Sequence, residues 1–375
     1  MQRVLRRRFV VKLGTSLLTS ARDHLDLAVM EALVEQIAKL HRHGREIILV
    51  SSGAVAAGRA RMRGKRIPDV EGTPLKQVLA SIGQSHLMST YEMLFSRYDI
   101  TIAQALLTRE ALTNRAGYLN ARNTLMALCD MDVVCVVNEN DVVAVEELDE
   151  RQFGDNDNLS AMVANLVDAD LLIILTDIGG LYTADPHRHP DAELVRVVER
   201  IDDSVESLAE GTAGTQGIGG MLTKIEAARL ATSSGIDVIV ADGCAVDVLL
   251  RIDKGEEMGT RFVASASRLE SRKRWLASGL ALQGVVVVDA GAVRALRRGS
   301  GSLLPAGVKS VHGRFVRGDT VEIRSEEGRK VASGISNYDA DDVRAVMGHQ
   351  SREMADLLTH VYGDEIVHRN NMVVL

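Results

Sequence analysis

Leu171-Leu-Ile-Ile-Leu-Thr-Asp-Ile-Gly-Gly180 runs from five consecutive aliphatic residues directly into a hydroxyl, a carboxylate and two glycines. A strand that is apolar on both faces must be covered on both, which is the situation of a parallel sheet held between layers of helices. The same grammar recurs outward along the chain. Phe9–Lys12, Ile47–Val50, Ile100–Leu107, Val133–Val137 and Val238–Val240 are further short, β-branched runs, alternating with longer amphipathic stretches at 27–41, 76–96, 118–128 and 159–166. This pattern predicts an α/β fold built on a mostly parallel sheet. In such sheets ligands gather at the carboxyl ends of the strands. Lys12-Leu-Gly-Thr-Ser16, Ser51-Ser-Gly-Ala54, Asn138-Glu-Asn-Asp141 and Thr176-Asp-Ile-Gly-Gly180 each lie at such an end, so they are expected to meet in one crevice.

The chain has 375 residues, too many for one ordinary core, and two domains are expected. Beyond Phe262 comes a charged stretch, Arg268 to Arg274, followed by the only tryptophan, Trp275, which reads as a solvated bridge between domains. From Gly284 the pattern changes to short strands, Val285–Val288, Gly307–Val311, Thr320–Arg324 and Lys330–Ile335, separated by Gly, Asp and Pro turns. The expected organisation is an α/β domain over 1–262, a linker over 263–283 and a smaller, mostly β domain over 284–375. Net charge is −7, and residues 285–375 carry twelve Lys/Arg against twelve Asp/Glu, which argues against nucleic acid or an anionic membrane as a partner.

Three cysteines, Cys129, Cys135 and Cys244, lie in apolar segments at unpatterned spacing and are expected to be buried thiols of a reducing compartment. The basic run Arg3 to Arg8 precedes an apolar stretch that Lys12 interrupts, with no cleavage pattern after it, so a cytoplasmic protein is expected. No apolar run approaches the roughly 20 residues that span a bilayer. His187 and His189 have the spacing of metal ligands but no cysteine or third histidine near them, and a solvated loop is the expectation there.

Five glycines between Gly211 and Gly220 precede Met221, Leu222, Thr223, Lys224 and a helix-like segment, Ile225 to Ser234. Free backbone N–H groups, a helix N-terminus and a lysine one turn in would together cradle a phosphate. A surface loop capped by a helix has the same composition. Lys12, at the end of the first strand beside Gly14, Thr15 and Ser16, is expected to aim its ammonium into the crevice next to free backbone donors. With Lys224 it makes two cations able to flank a transferring phosphoryl group. Asp155 to Asn158 places two carboxylates and two amides immediately before the helical stretch at 159–166, more than one helix cap requires. In a phosphate site, acids such as Asp157 and Asp141 must orient a lysine, help hold a metal or meet a cationic group on the acceptor.

Lys12-Leu-Gly-Thr-Ser, Ser51-Ser-Gly-Ala-Val-Ala-Ala-Gly, Asn138-Glu-Asn-Asp, Gly154-Asp-Asn-Asp-Asn-Leu-Ser-Ala, Leu175-Thr-Asp with Gly180-Leu-Tyr-Thr-Ala-Asp-Pro, and Gly219-Gly-Met-Leu-Thr-Lys occur in the order found in the glutamate 5-kinases, which the chain resembles over nearly its whole length. Ser302-Leu-Leu-Pro-Ala-Gly, Arg317-Gly-Asp and Asn337-Tyr resemble the PUA domain that many members carry. The resemblance implies an open αβα sandwich of the amino acid kinase type followed by a PUA-like domain, and ATP-dependent phosphorylation of L-glutamate with Mg²⁺, the first step of proline biosynthesis. It assigns ATP to Lys12, Gly14, Thr176, Asp177 and the loop Ile218, Gly219, Gly220, Met221, Leu222, Thr223 and Lys224. It assigns glutamate to Ser52, Asp141 and Asn156, with Asp141 meeting the α-ammonium and Ser52 and Asn156 donating to carboxylates, and it makes Asp157 the organiser of the lysines. Ile218 departs from the small hydroxylated residue expected there. A homo-oligomer, feedback inhibition by proline and a downstream glutamyl phosphate reductase are further implications. Two other readings stand beside this one: a kinase of another small acid such as N-acetylglutamate or aspartate, and an RNA-binding or regulatory protein acting through its PUA-like domain.

Overall fold

The computed structural model describes residues 7–19, 24–65, 74–144, 156–186, 188–211, 220–265, 283–298 and 301–374. They fall into two compact units, Met1–Leu112 with Ala121–Ala266, and Thr113–Asn120 with Ser267–Leu375. The grouping of 113–120 with the second unit has no counterpart in the sequence pattern. The charged stretch 268–274, Trp275, His187, Asp155 and the loop 212–219, with Ile218 and Gly219, lie outside the described residues.

In the first unit, β1 (Arg8–Leu13), β2 (Glu46–Ser51), β3 (Ile102–Leu107), β4 (Val134–Glu139), β5 (Leu171–Thr176), β6 (Val197–Val198), β7 (Asp237–Asp242) and β8 (Thr260–Phe262) form one sheet in the order β3-β4-β2-β1-β5-β7-β8-β6. All pairs are parallel except β7 with β8. The helices are α1 (Thr15–Leu18), α2 (Leu27–Arg42), α3 (Ala54–Met62), α4 (Pro74–Ser96), α5 (Arg109–Thr113), α6 (Arg115–Asp130), whose residues 115–120 group with the second unit, α7 (Asn156–Leu166), α8 (Asp203–Gly211), α9 (Met221–Ser233) and α10 (Val248–Asp253). The apolar runs read from sequence are the strands, and β1, β2, β4 and β5 have almost no exposed side chains. β1 lies in the middle, with Lys12 opposite Val50 and Ile174, and Leu13 opposite Ser51 and Leu175. One strand end therefore adjoins the loops that follow two others.

Helix α3 gave no apolar stripe to read, and its packing explains why. A Cβ on Gly58 would stand 1.8 Å from the Leu79 carbonyl oxygen, and one on Gly83 would stand 1.7 Å from that of Ala54. The α3 and α4 backbones thus touch where ordinary helices interpose side chains. Gly53, left-handed at φ 96°, turns the chain from β2 into α3. Helix α7 starts three residues earlier than its apolar stretch suggests, so Asn156 and Asp157 lie in its first turn rather than ahead of it.

The second unit carries β9 (Gly284–Val288), α11 (Ala290–Arg297), β10 (Val308–Gly313), β11 (Thr320–Ser325), β12 (Lys330–Ile335), α12 (Ala340–Val346) and β13 (Met372–Val374). Its sheet runs β10-β9-β11-β12-β13, antiparallel apart from β9 with β11, over a core including Val286, Val288, Ile323, Val331 and Tyr338.

Cys129 and Cys135 are buried as expected, and burial pushes their thiols up to about 11 and about 12. Cys244 is not: it is exposed, because β7 ends at Asp242 and the chain turns there at the carboxyl end of the strand, with the Cys244 N–H donating to Asp242 Oδ1 at 2.8 Å. Among the described residues no helix is long and apolar enough to cross a membrane.

Candidate active site

Lys12 projects from β1 and is almost fully buried, as is Lys224 in the first turn of α9. A buried ammonium needs a counter-charge. Asp157, wholly buried in the first turn of α7, supplies it to both: Oδ1 pairs with Lys12 Nζ, and Oδ2 accepts from Lys224 Nζ at 3.2 Å and from Thr223 Oγ1 at 2.9 Å. Two cations and one anion leave this cluster a formal charge of +1, held rigidly by three different elements. Thr223 Oγ1 also lies 2.9 Å from the Gly220 carbonyl oxygen, tying the N-terminus of α9 to the carboxylate. The N-cap of α9 is Gly220, which has no side chain to cap it. Its first-turn N–H groups, on Met221, Leu222 and Thr223, have no intrahelical partner and form an anion-binding terminus beside Lys224.

At the end of β5, Thr176 is buried and donates from Oγ1 to Asp177 Oδ1 at 3.0 Å, while its carbonyl accepts from Gly243 N–H. Burial, then the charges of Asp242, Asp26 and Asp177, raise the nearby Cys244 thiol. Gly14 lies against the Lys12 ammonium, but its N–H is not a free donor: it bonds to the Leu175 carbonyl at 3.1 Å, because β1 runs on through Leu13 before the chain leaves the sheet.

Next to this cluster lies a cavity of about 260 Å³ lined by Thr15, Ser52, residues 53–56, Lys76, Asn138, Glu139, Asp141 and Asn156. It gathers Ser52, Asp141 and Asn156, the three residues assigned to the acceptor by resemblance. The first turn of α3 and the Lys76 ammonium give it positive character, and Glu139 with Asp141 give it negative character. This division of charge matches a zwitterionic amino acid. Asn156 differs from expectation in one respect. Its Nδ2 faces the Ser51 carbonyl at 3.0 Å, Asn138 Oδ1 at 2.9 Å and Ser52 Oγ at 2.9 Å, so its hydrogens serve the protein and not a carboxylate. Its Oδ1 is buried with no hydrogen-bond partner among the described residues. Ser52 Oγ, accepting from Asn156, keeps its own hydrogen to donate.

Thr15, Lys76, Asn138, Glu139 and the α3 turn were not singled out as site residues from sequence. Thr15, residues 53–56, Asn138 and Glu139 belong to motifs that were, and Lys76 carries no local signal, since it reaches the cavity only through the packing of α4 on α3.

The Amino acid kinase family model matches residues 7–242 and the PUA domain model matches residues 284–358. The chain is 53% identical to a glutamate 5-kinase of Dehalococcoides mccartyi over 98% of both chains, and 47% identical to that of Deinococcus radiodurans over 98% of this chain and all of the other. The chain belongs to the glutamate 5-kinases of the amino acid kinase family. Among solved structures, carbamate kinase from Giardia lamblia bound to AMP-PNP superimposes with a TM-score of 0.50 at 18% identity, covering 70% of this chain and 99% of that one, a likeness of fold.

Proposed function

We propose that the protein transfers the γ-phosphoryl group of ATP to the side-chain carboxylate of L-glutamate, giving L-glutamyl 5-phosphate and ADP in the first step of proline biosynthesis. The observation that carries this reading is that consecutive residues of α7 serve two sites: Asp157 pairs with both lysines, and Asn156 lines the cavity with the split charge. Family membership supports both the acceptor and the nucleotide.

A carboxylate is ionised at pH 7 and already nucleophilic, so no general base is needed. Lys12, Lys224 and the α9 terminus neutralise charge on the moving phosphoryl group, and the cavity fixes the line of attack. Lys12 and Lys224 approach the phosphates while Asp157 keeps them apart and in place. Mg²⁺ supplies further charge neutralisation on the nucleotide when bound. Asp157 is committed to the two lysines and would not hold the ion. Thr176 and Asp177 face the remainder of the nucleotide.

Asp141 and Glu139 favour a free α-ammonium, which separates glutamate from N-acetylglutamate. Proline offers the same ammonium and α-carboxylate without a phosphoryl acceptor, so it competes for the cavity. The labile acyl phosphate requires a reductase as functional partner, and a cytoplasmic homo-oligomer fits the family.

Hydroxylamine trapping of the acyl phosphate across a panel of acceptors tests the reading. L-Glutamate should give the hydroxamate, N-acetylglutamate should not, and proline should raise the apparent KM for glutamate without lowering kcat. Comparable rates with the two acceptors would sink the assignment.

A further inference from the structure

Three amides stand in series between α7, β4 and α4. Asn156 Nδ2 donates to Asn138 Oδ1 at 2.9 Å, and Asn138 Nδ2 donates to Gln84 Oε1 at 2.7 Å. An isolated amide can be turned end for end, but this series is pinned at two points by backbone groups of fixed character. The Glu139 N–H donates to Asn138 Oδ1 at 2.9 Å, so that atom must be an oxygen, and the Ser51 carbonyl accepts from Asn156 Nδ2 at 3.0 Å, so that atom must be a nitrogen. Both open ends of the series are therefore defined. Asn156 Oδ1 is an acceptor and Gln84 Nε2 a donor, each buried and each without a hydrogen-bond partner among the described residues. A buried carbonyl without a donor costs free energy unless something arrives to satisfy it, and Asn156 lines the cavity.

Resting on the acceptor reading given above, we propose that Gln84 is a positioning residue: by accepting from Asn138 it fixes the direction of the amide series, so that Asn156 presents its carbonyl to the acceptor's ammonium group. Gln84 does not line the cavity and touches no substrate. It is placed by α4, whose close contact with α3 at Gly83, one residue away, leaves the helix little freedom to shift. Without its oxygen the Asn138 amide has no partner at one end, and the series can slacken.

The test compares L-glutamate with glutarate, which keeps both carboxylates and replaces the ammonium with hydrogen, as an inhibitor competing with glutamate. Gln84→Met should raise the KM for glutamate about tenfold, the size of one hydrogen bond, with KM for ATP unchanged and the inhibition constant of glutarate within about twofold of native. Gln84→Glu, which retains an acceptor oxygen, should bring the glutamate KM back to within about threefold of native. An unchanged glutamate KM in Gln84→Met, an equal loss for both ligands, or a failure of Gln84→Glu to rescue would each overturn the proposal. A native enzyme that forms no acyl phosphate from glutamate would instead overturn the acceptor reading, before the variants are compared.

Discussion

Asp157 and Asn156 are neighbours on one helix turn, yet Asp157 shares its carboxylate among two ammonium groups and a hydroxyl, while Asn156 spends its amide hydrogens on the protein and keeps a carbonyl with no hydrogen-bond partner among the described residues. On the proposed function, the phosphoryl half of the site is thus complete in its charges before any ligand binds, whereas the acceptor half is complete only in its directions. Preassembled charge suits a step in which negative charge moves, since nothing has to reorganise as it does. Oriented but unsatisfied dipoles suit recognition, since a ligand with the wrong donor pattern leaves them unsatisfied.

The largest effects are expected where paired charge is broken. Asp157→Ala leaves two buried ammonium groups facing one another, and loss of one side of a buried pair costs about 3–5 kcal/mol. Thermal unfolding should then shift down by roughly 10 °C, with activity lost as well. Lys12→Ala and Lys224→Ala should each lower kcat by about 10² or more while glutamate KM changes little. A kcat close to native in either lysine variant would move that lysine from chemistry to structure and blur the contrast between the halves.

An intermediate effect should follow Gly83→Ala. Its new methyl falls on the Ala54 carbonyl, so α3 and α4 must separate, at a cost of about 1–3 kcal/mol. The first turn of α3 and Lys76 belong to the acceptor half, so glutamate KM should rise well above native while KM for ATP holds. Equal changes in both constants, read from steady-state kinetics, would mean that the halves do not move independently.

The smallest effect concerns thiols. Cys244, exposed beside Asp177, should be alkylated in the native protein at pH 8, more slowly than a free thiol because burial and nearby carboxylates raise it, and ATP should slow it further. Cys129 and Cys135, held neutral by burial at that pH, should react only on unfolding. Peptide mass spectrometry reads all three, and the absence of ATP protection would place the nucleotide away from Asp177.

Much of the fold was legible because buried parallel strands announce themselves as unbroken aliphatic runs, and Leu171–Leu175 is a clear case. The polar residues at their ends were legible for the same reason, since a hydroxyl or carboxylate directly after such a run has the crevice to face. What sequence could not give were features fixed by backbone contact. Helix α3 has no apolar stripe because glycine lets it touch α4 directly, and Lys76 and Gln84 join the site only through that touch. The Gly14 N–H is taken up because β1 extends through Leu13, and Cys244 is exposed because β7 ends two residues before it, and the sequence marks neither strand end. The direction of the Asn156 amide depends on partners at positions 51 and 138, distant in sequence.

The central place of β1 has a consequence for how the chain comes into being. Its register joins Phe9 to Ile47 on one side and to Leu171 on the other. The first side closes early, but the second must wait until 162 further residues, from Phe9 to Leu171, have been made. At ribosomal speeds that interval is on the order of 10–30 s, during which one of the most apolar strands in the protein has an open edge. Long-range parallel closure is slow in any case. Newly made chains are therefore expected to be most vulnerable to association in that window, and Lys224, the last of the three charged partners to be synthesised, arrives only after it.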